Sequence, residues 1–342
     1  MSTLKFLGKR LALSIFVLFG LSLLIFTIAR VLPGDPVRMA LGSRAPQWAV
    51  DNMREQMHLN DPLYAQYYYW VSGALHGNLG QSLFTRRAVS TDVKEFLPAT
   101  LELAIFAGII MAVFGVLLGA VSGRYSNTWI DNSVRIFSYI GIVTPSFVFA
   151  ILFMLLFGYV LNVLPTVGRL SPWIHRPPVI TGMVSLDALL SGNFAALGDA
   201  IRHMILPAVS LALGGMAQEA RITRSTISDN LRKDYIASAK GFGVPERLVV
   251  LKYLLKPSLI PTVSIFGLDF ASLLANAFLV ELIFNWPGFS RYGINAMLNK
   301  DLNAVSAVVM ILGVVFIVVN ILVDLLVAWL DPRIRLGAER GK

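Results

Sequence analysis

The chain has 342 residues, 56% of them apolar and only 14% charged, and its mean hydropathy is +0.68. A soluble domain carries about 25% charged residues, so this composition belongs in a membrane. The net charge of +9 does not indicate nucleic acid, because the basic residues flank apolar runs instead of forming one patch with aromatic platforms. The absence of cysteine excludes disulfides, thiolate zinc sites and cysteine nucleophiles.

In chain order, Lys5, Lys9 and Arg10 precede an apolar run from Leu11 to Ala29. A signal-peptide core is about 7–15 residues long and ends at a small-residue cleavage site. This run is longer and continues into "RVLPGDP", which predicts an uncleaved anchor. Further spans are predicted at Ala99–Val121, Val134–Val160, Met204–Ile222, Thr262–Phe284 and Ala304–Trp329, six in all. Each is long enough, since about 20 residues rising about 1.5 Å apiece cross a hydrocarbon core of about 30 Å. The fourth span is the weakest by composition, because it holds Pro207, Gly214, Gly215 and Glu219.

Two segments between spans are distinctive. "DPLYAQYYYWVSGALHG" gathers Tyr64, Tyr67, Tyr68, Tyr69 and Trp70, a composition suited to the membrane–water interface. It reads first as an interfacial helix bracing the bundle and second as a substrate contact. The segment Asn162–His203 is rich in Pro, Gly and Ser and is long for a connection, which points to a functional or disordered loop. Within it "TVGRLSPWIHRPP" predicts extended chain around Trp173. "LDALLSGNFAALGDAIRH" predicts a short amphipathic helix on the membrane surface.

The bias of Lys and Arg among short loops sets orientation. With the N-terminus inside, the cytosolic segments hold Lys5, Lys9 and Arg10, then Arg124, then Arg224, Arg232, Lys233, Lys240, Arg247, Lys252 and Lys256, then Arg333, Arg335, Arg340 and Lys342. The opposite short loops hold fewer, and the long segment Val31–Pro98 escapes the rule by its length. Both termini are therefore expected in the cytosol. The organisation expected is a tail and first span (1–30), an extracytoplasmic segment (31–98), a five-helix core (99–329) with an outer loop (162–203) and a cytosolic loop (223–261), and a cytosolic tail (330–342).

The chain carries no phosphate-binding loop; Gly8-Lys9-Arg10 lacks the first glycine and the terminal hydroxyl. His58, His76, His175 and His203 have no metal-ligand spacing and read as loop or interfacial residues. Ionisable and amide groups inside a bilayer are costly and face a cavity or a partner. Asp269 and Asn276 in the fifth span are equally suited to a polar translocation path and to inter-helix hydrogen bonds. Glu281 and Asp324 lie near span ends and favour a structural role, Asn320 shares the face of Asp324, and Glu102 opens the second span.

The stretch "DYIASAKGFGVPERLVVLKYLLKPSLIP", Asp234 to Pro261, is broken by Gly241, Gly243 and Pro245. It predicts two short helices joined by a sharp turn, the first with a small-residue face at Ala237, Ser238, Ala239 and Gly241. Basic charge beside such a face suits a docking element; the plainer reading is an ordinary basic loop.

Asp234-Tyr235-Ile236, Ala239, Gly243 and "LKPSLIP" resemble the cytosolic signature loop of binding-protein-dependent ABC importer permeases, in the dipeptide/oligopeptide/nickel branch. The resemblance extends through "LPGDPV", "HGNLGQSL", "LPATLELA", "TPSF", "HMILPAVSLAL", "RITRSTISDNLRKDYI", "LIFNWPGFSRYGINA" and "NILVDLLVAWLDPRIR", in order over nearly the whole chain. The departure is at Ala237, where the family's general signature has Glu; the peptide branch often lacks that Glu.

What the resemblance implies is an all-α polytopic membrane protein with the type I ABC importer permease fold, six spans and cytosolic termini. It implies a multi-pass protein of the bacterial inner membrane that is not itself an enzyme. Coupling to the ATPase would fall on Asp234, Tyr235, Ala237, Ser238, Ala239, Lys240, Gly241, Gly243, Glu246 and Arg247. Asp269, Asn276, Thr144 and Ser146 are the candidates for the path, and Arg169, Trp173 and Arg176 for contact with the receptor. Implied partners are a second homologous permease, two ATP-binding cassette ATPases that hold ATP-Mg, an extracytoplasmic binding protein and the lipid bilayer, with no cofactor in this chain. Dipeptides or oligopeptides lead as substrates, with glutathione, a nickel complex or a sugar conjugate as alternatives. An ion-coupled secondary transporter would show a repeat in two halves, which is not visible, and a membrane enzyme would show a nucleophile–base or ligand constellation.

Overall fold

The structure, a computed structural model, describes residues 3–31, 36–42, 44–56 and 58–330. Residues 32–35 of "LPGDPV" and the tail with Arg333, Arg335, Arg340 and Lys342 lie outside the described residues, as do the side chains of Lys5 and Lys9. The regular elements among the described residues are helices, with one isolated bridge between Gln81 and Ala88. In order they are α1 (Thr3–Val31), α2 (Pro36–Leu41), α3 (Gln47–Gln56), α4 (Leu63–Leu75), α5 (Val89–Arg124), α6 (Trp129–Val143) and α7 (Ser146–Phe153), which continues as a π-helix over Met154–Val160. Then come α8 (Val184–Leu190), α9 (Phe194–Leu231), α10 (Asp234–Gly241), α11 (Glu246–Leu248, continued by a π-helix over Val249–Leu255), α12 (Lys256–Ile283), α13 (Phe289–Leu298) and α14 (Leu302–Leu330).

Five segments are long and apolar enough to cross a membrane: Arg10–Ile28 of α1, α5, α9, Glu246–Ile283 and α14. The third predicted span, Val134–Val160, is bent in the middle: α6 and α7 meet at 106° and make a sixth crossing only as a pair. The cause is local: Pro145 offers no N–H and its ring pushes the preceding residue out of helical geometry, so Thr144 adopts ψ 122°.

The span judged weakest is instead the centre of the bundle. α9 runs unbroken for 38 residues through Pro207, Gly214 and Gly215, and α5, α6, α7, α8 and α12 all pack on it. Packing on every side overrides the propensity of its proline and glycines. The residues read as a separate surface helix divide differently as well: Val184–Leu190 forms α8, while Phe194–His203 are the first turns of α9, started by Asn193 Oδ1 accepting from Ala196 N at 3.0 Å.

Close approach of α5 to α9 depends on Gly115, Gly119 and Gly123, one turn apart on α5. A Cβ at Gly119 would stand 2.6 Å from Ala220 O, and one at Gly123 would stand 2.9 Å from Arg224 O. Small residues at four-residue spacing let two helix backbones touch, which is how helices gain contact where lipid is as apolar as their side chains. The main core is then filled by Leu103, Ala107 and Met111 of α5, Met204, Leu211 and Ala212 of α9, Phe270, Leu273 and Ala277 of α12, and Trp286.

The remaining elements brace this core. α4 lies on α1 through Tyr67, whose hydroxyl is 2.7 Å from Ser22 Oγ, and through Trp70 against Phe26 at 6.0 Å, leaving Tyr64 and Tyr68 exposed. α1 reaches α14 where Arg10 meets Asp324 at 3.1 Å. Asp301 caps α14 by accepting from Ala304 N at 3.1 Å, and also takes Ser82 Oγ at 2.6 Å and Leu83 N at 2.7 Å, which fastens the "HGNLGQSL" segment. Glu281, fully buried, accepts from Thr100 Oγ1 at 2.5 Å and from Arg291 N at 2.7 Å, joining α5, α12 and α13.

Candidate functional site

Three features stand along the α9 axis: an exposed helix at one end, a polar cavity in the middle and a pinned loop at the other. The exposed helix is α10. Ile236 and Ala239 turn inward onto Ile227 of α9 and Val249 and Leu254 of the π-helical entry to α12, forming a small core of their own. That spacing of three leaves Asp234, Tyr235, Ala237, Ser238, Lys240 and Gly241 exposed on the other side. Of the residues assigned to coupling, Ala239 is thus an anchor, and the other members of α10 form the free face. The second helix predicted after the turn is the first turn of the long fifth span, since α11 runs on through Val249–Leu255 into α12.

The turn between them needs Gly243, whose φ of +72° is a left-handed conformation that side chains disfavour. Val244 N closes it by donating to Ala239 O at 3.0 Å. Beyond it Arg247 is exposed and Glu246 pairs with Arg124 at the end of α5. Sequence reasoning missed Phe242, which is 88% exposed at the tip of the turn. An aromatic between two glycines in a basic loop was the available signal.

Just inside this end, Asp131 of α6 gathers three neighbours. It accepts from Ser122 Oγ of α5 at 2.7 Å, from Asn127 N at 2.9 Å, and from Arg224 of α9 through Nη2 at 2.7 Å as well as Nε. Asp131 is fully buried, so the pair makes α5, α6 and α9 one block at the end where α10 is attached. The sequence reading had not singled out Asp131.

The cavity, about 300 Å³ in volume, lies where the α6–α7 bend faces α9 and α12. All four path candidates, Thr144, Ser146, Asp269 and Asn276, line it. Asp269, Ser272 and Asn276 at i, i+3 and i+7 share one face of α12, while the break at Pro145 supplies Thr144 and Ser146. Gln218 of α9 joins them and was not foreseen, although a Gln-Glu pair inside an apolar run is itself a signal of function.

At the far end the loop after Val160 is fastened to its own bundle. Arg169 donates to Glu102 Oε2 of α5 at 2.5 Å and to Gly182 O at 2.9 Å, and its guanidinium lies 5.6 Å from the centre of the Trp286 ring. With its side chain only 14% exposed, Arg169 stands in the interior, whereas Trp173, at 81%, and Arg176 are on the surface. Ser185 donates to Glu102 twice, at 2.6 Å from both N and Oγ, and Ser171 is held by Asp199. Burial disfavours the Asp187 carboxylate, but hydrogen bonds from Thr181, with N and Oγ1 both at 2.7 Å, and from Gly182 N at 3.1 Å outweigh it and hold this carboxyl below its usual range. Among the described residues no cluster of His, Cys, Asp or Glu could hold a metal ion.

Comparison with known proteins returns one family over the whole described length. Residues 104–336 match the model described as binding-protein-dependent transport system inner membrane component, and residues 3–104 match the N-terminal model of the same transport systems. The chain is 39% identical over 323 residues to the probable D,D-dipeptide transport system permease protein of Escherichia coli, covering 94% of this chain and 95% of that one. It is 37% identical over 334 residues to the di/tripeptide transport system permease protein of Pseudomonas aeruginosa, covering 97% and 99%. With the glutathione transport system permease protein of Escherichia coli it shares 32% over 332 residues, covering 97% and 99%.

Proposed function

The chain belongs to the binding-protein-dependent transport system inner membrane components, and from that premise we propose that it is one of two permease subunits of an ATP-driven importer of dipeptides or short peptides. Its partners are a related permease, two ATPase subunits that bind ATP-Mg, and an extracytoplasmic binding protein that delivers the substrate. Peptides are preferred to glutathione because identity is higher to the dipeptide and di/tripeptide relatives than to the glutathione one. Both termini and α10 face the cytosol, where most of the short-loop Lys and Arg residues fall, and the loop bearing Trp173 and Arg176 faces the binding protein.

One observation carries the reading. α10 is seated by Ile236 and Ala239 on the ends of α9 and of the helix leading into α12, and those same two helices line the polar cavity. A push on the free face of α10 by a closing pair of ATPases is therefore delivered to the walls of the path. The Asp131–Arg224 pair makes α5, α6 and α9 move as one block, and the break at Thr144-Pro145 is where that block can swing against α7. Arg169 holds the outer loop on its own bundle, which leaves Trp173 and Arg176 as the members of the receptor-contact set offered to a partner.

The test is assembly and stimulation. Purified with its partner permease and ATPase subunits, the chain should form a complex whose ATP hydrolysis rises when peptide-loaded binding protein is added. A chain that associates with no ATPase subunit would contradict the proposal.

A further inference from the structure

The cavity at the α6–α7 bend has an unbalanced chemistry. Asp269 is the charged residue of its lining, which contains no Lys, Arg or His. Asp269 Oδ2 is buried without a hydrogen-bond partner. Directly after the cavity residue Gln218 comes Glu219, fully buried, with neither carboxyl oxygen partnered and close enough to Asp269 for the two charges to interact. Two neutral groups lean the same way, whereas Gln218 Oε1 already accepts from Arg221 Nη2 at 2.9 Å and leaves its amide N–H groups to the cavity. Ser272 Oγ donates to Leu268 O at 3.2 Å and Asn276 Nδ2 to Ser272 O at 2.9 Å, so each commits a donor to its own helix and keeps acceptor oxygens for the cavity.

A cavity whose one charged lining residue is a carboxylate, with a second buried carboxyl beside it and no cation among the lining residues, is matched by a group that brings positive charge and several N–H donors, and a primary ammonium does both. We propose that this cavity is a waypoint for the cationic amino group of the transported peptide, with Asp269 as its counter-ion and Glu219 as a second carboxyl behind it. This rests on the reading of the chain as a peptide permease. The volume, about 300 Å³, lies at the lower end of small-ligand sites, enough for the amino end of a peptide while its remainder extends along the path. The attraction is transient by construction: one carboxylate aided by neutral acceptors binds an ammonium firmly enough to admit it and weakly enough to release it.

Because the chain has no cysteine, charge at this point can be tested apart from folding. Asp269→Cys, assembled with cysteine-free partner subunits in proteoliposomes, is treated with an anionic sulfonatoethyl or a cationic aminoethyl thiosulfonate, and uptake of a free-amine dipeptide per ATP hydrolysed is measured. The untreated variant should fall at least about ten-fold, the anionic reagent should restore much of that, and the cationic reagent should not. Equal effects of the two reagents, or wild-type uptake by Asp269→Cys, would overturn the waypoint. Should the cysteine variant fail to assemble, Asp269→Asn decides: uptake at the wild-type rate overturns the proposal, and loss of uptake that Asp269→Glu regains supports it. If the wild-type complex itself shows no ATP-driven uptake, it is the permease reading that fails.

Discussion

Arg169 and Glu102 stand 2.5 Å apart between the outer loop and α5, with the Trp286 ring beneath the guanidinium. One side chain thus ties the segment between Val160 and Phe194 to α5 and to the buried Trp286 after α12, offsetting the entropy of ordering it. Removing one member of such a buried pair strands the other and costs about 3–5 kcal/mol. Arg169→Ala and Glu102→Ala should each lower the melting temperature of the purified complex, and the double variant should lose clearly less than the sum. Single variants that melt like wild type would show that the pair does not hold the loop.

The glycine stripe of α5 gives a sharper steric prediction. Because a Cβ at Gly119 would meet Ala220 O at 2.6 Å, Gly119→Val should force α5 away from α9. The expected result is loss of folded protein from the membrane fraction, as read by size-exclusion in detergent, with Gly119→Ala intermediate. Normal yield of the valine variant would mean that the helices do not touch there.

Orientation is tested by single cysteines in a chain that has none. Arg176→Cys should react with an impermeant maleimide in intact cells, and Ser238→Cys only after permeabilisation. Ser171 would be a poor probe, since it is buried against Asp199. The reverse labelling pattern would invert the topology.

Much of this was legible in the sequence because it depends on local chemistry. Apolar run length gave the spans, and period-seven spacing put Asp269 and Asn276 on one face. Gly243 with Pro245 marked the turn whose φ of +72° the fold requires. The illegible part depended on which helices meet. Pro145 was visible, yet a proline between two apolar runs fits a kinked span as well as a break of 106°. Pro207, Gly214 and Gly215 weakened the fourth span on propensity alone, while its central place in the bundle comes from partners that no window of sequence contains. Arg169 looked like a free basic residue beside an exposed Trp173 because its counter-charge, Glu102, lies 67 positions away.

The central claim is that movement of α10 drives the path, and Gly243 is its most direct test. A β-carbon there is strained by the left-handed backbone, by about 1–2 kcal/mol, yet it meets no neighbouring atom within 4 Å. The chain should therefore still fold while α10 shifts from its seat. The measurement is ATP-driven uptake of a labelled dipeptide into proteoliposomes that hold the complete importer and its binding protein, for wild type and Gly243→Trp. The account predicts uptake that requires ATP and the ATPase subunits for wild type, and an assembled Gly243→Trp complex that hydrolyses ATP with little or no uptake. Wild-type uptake by Gly243→Trp, or uptake that proceeds without ATP, would contradict it.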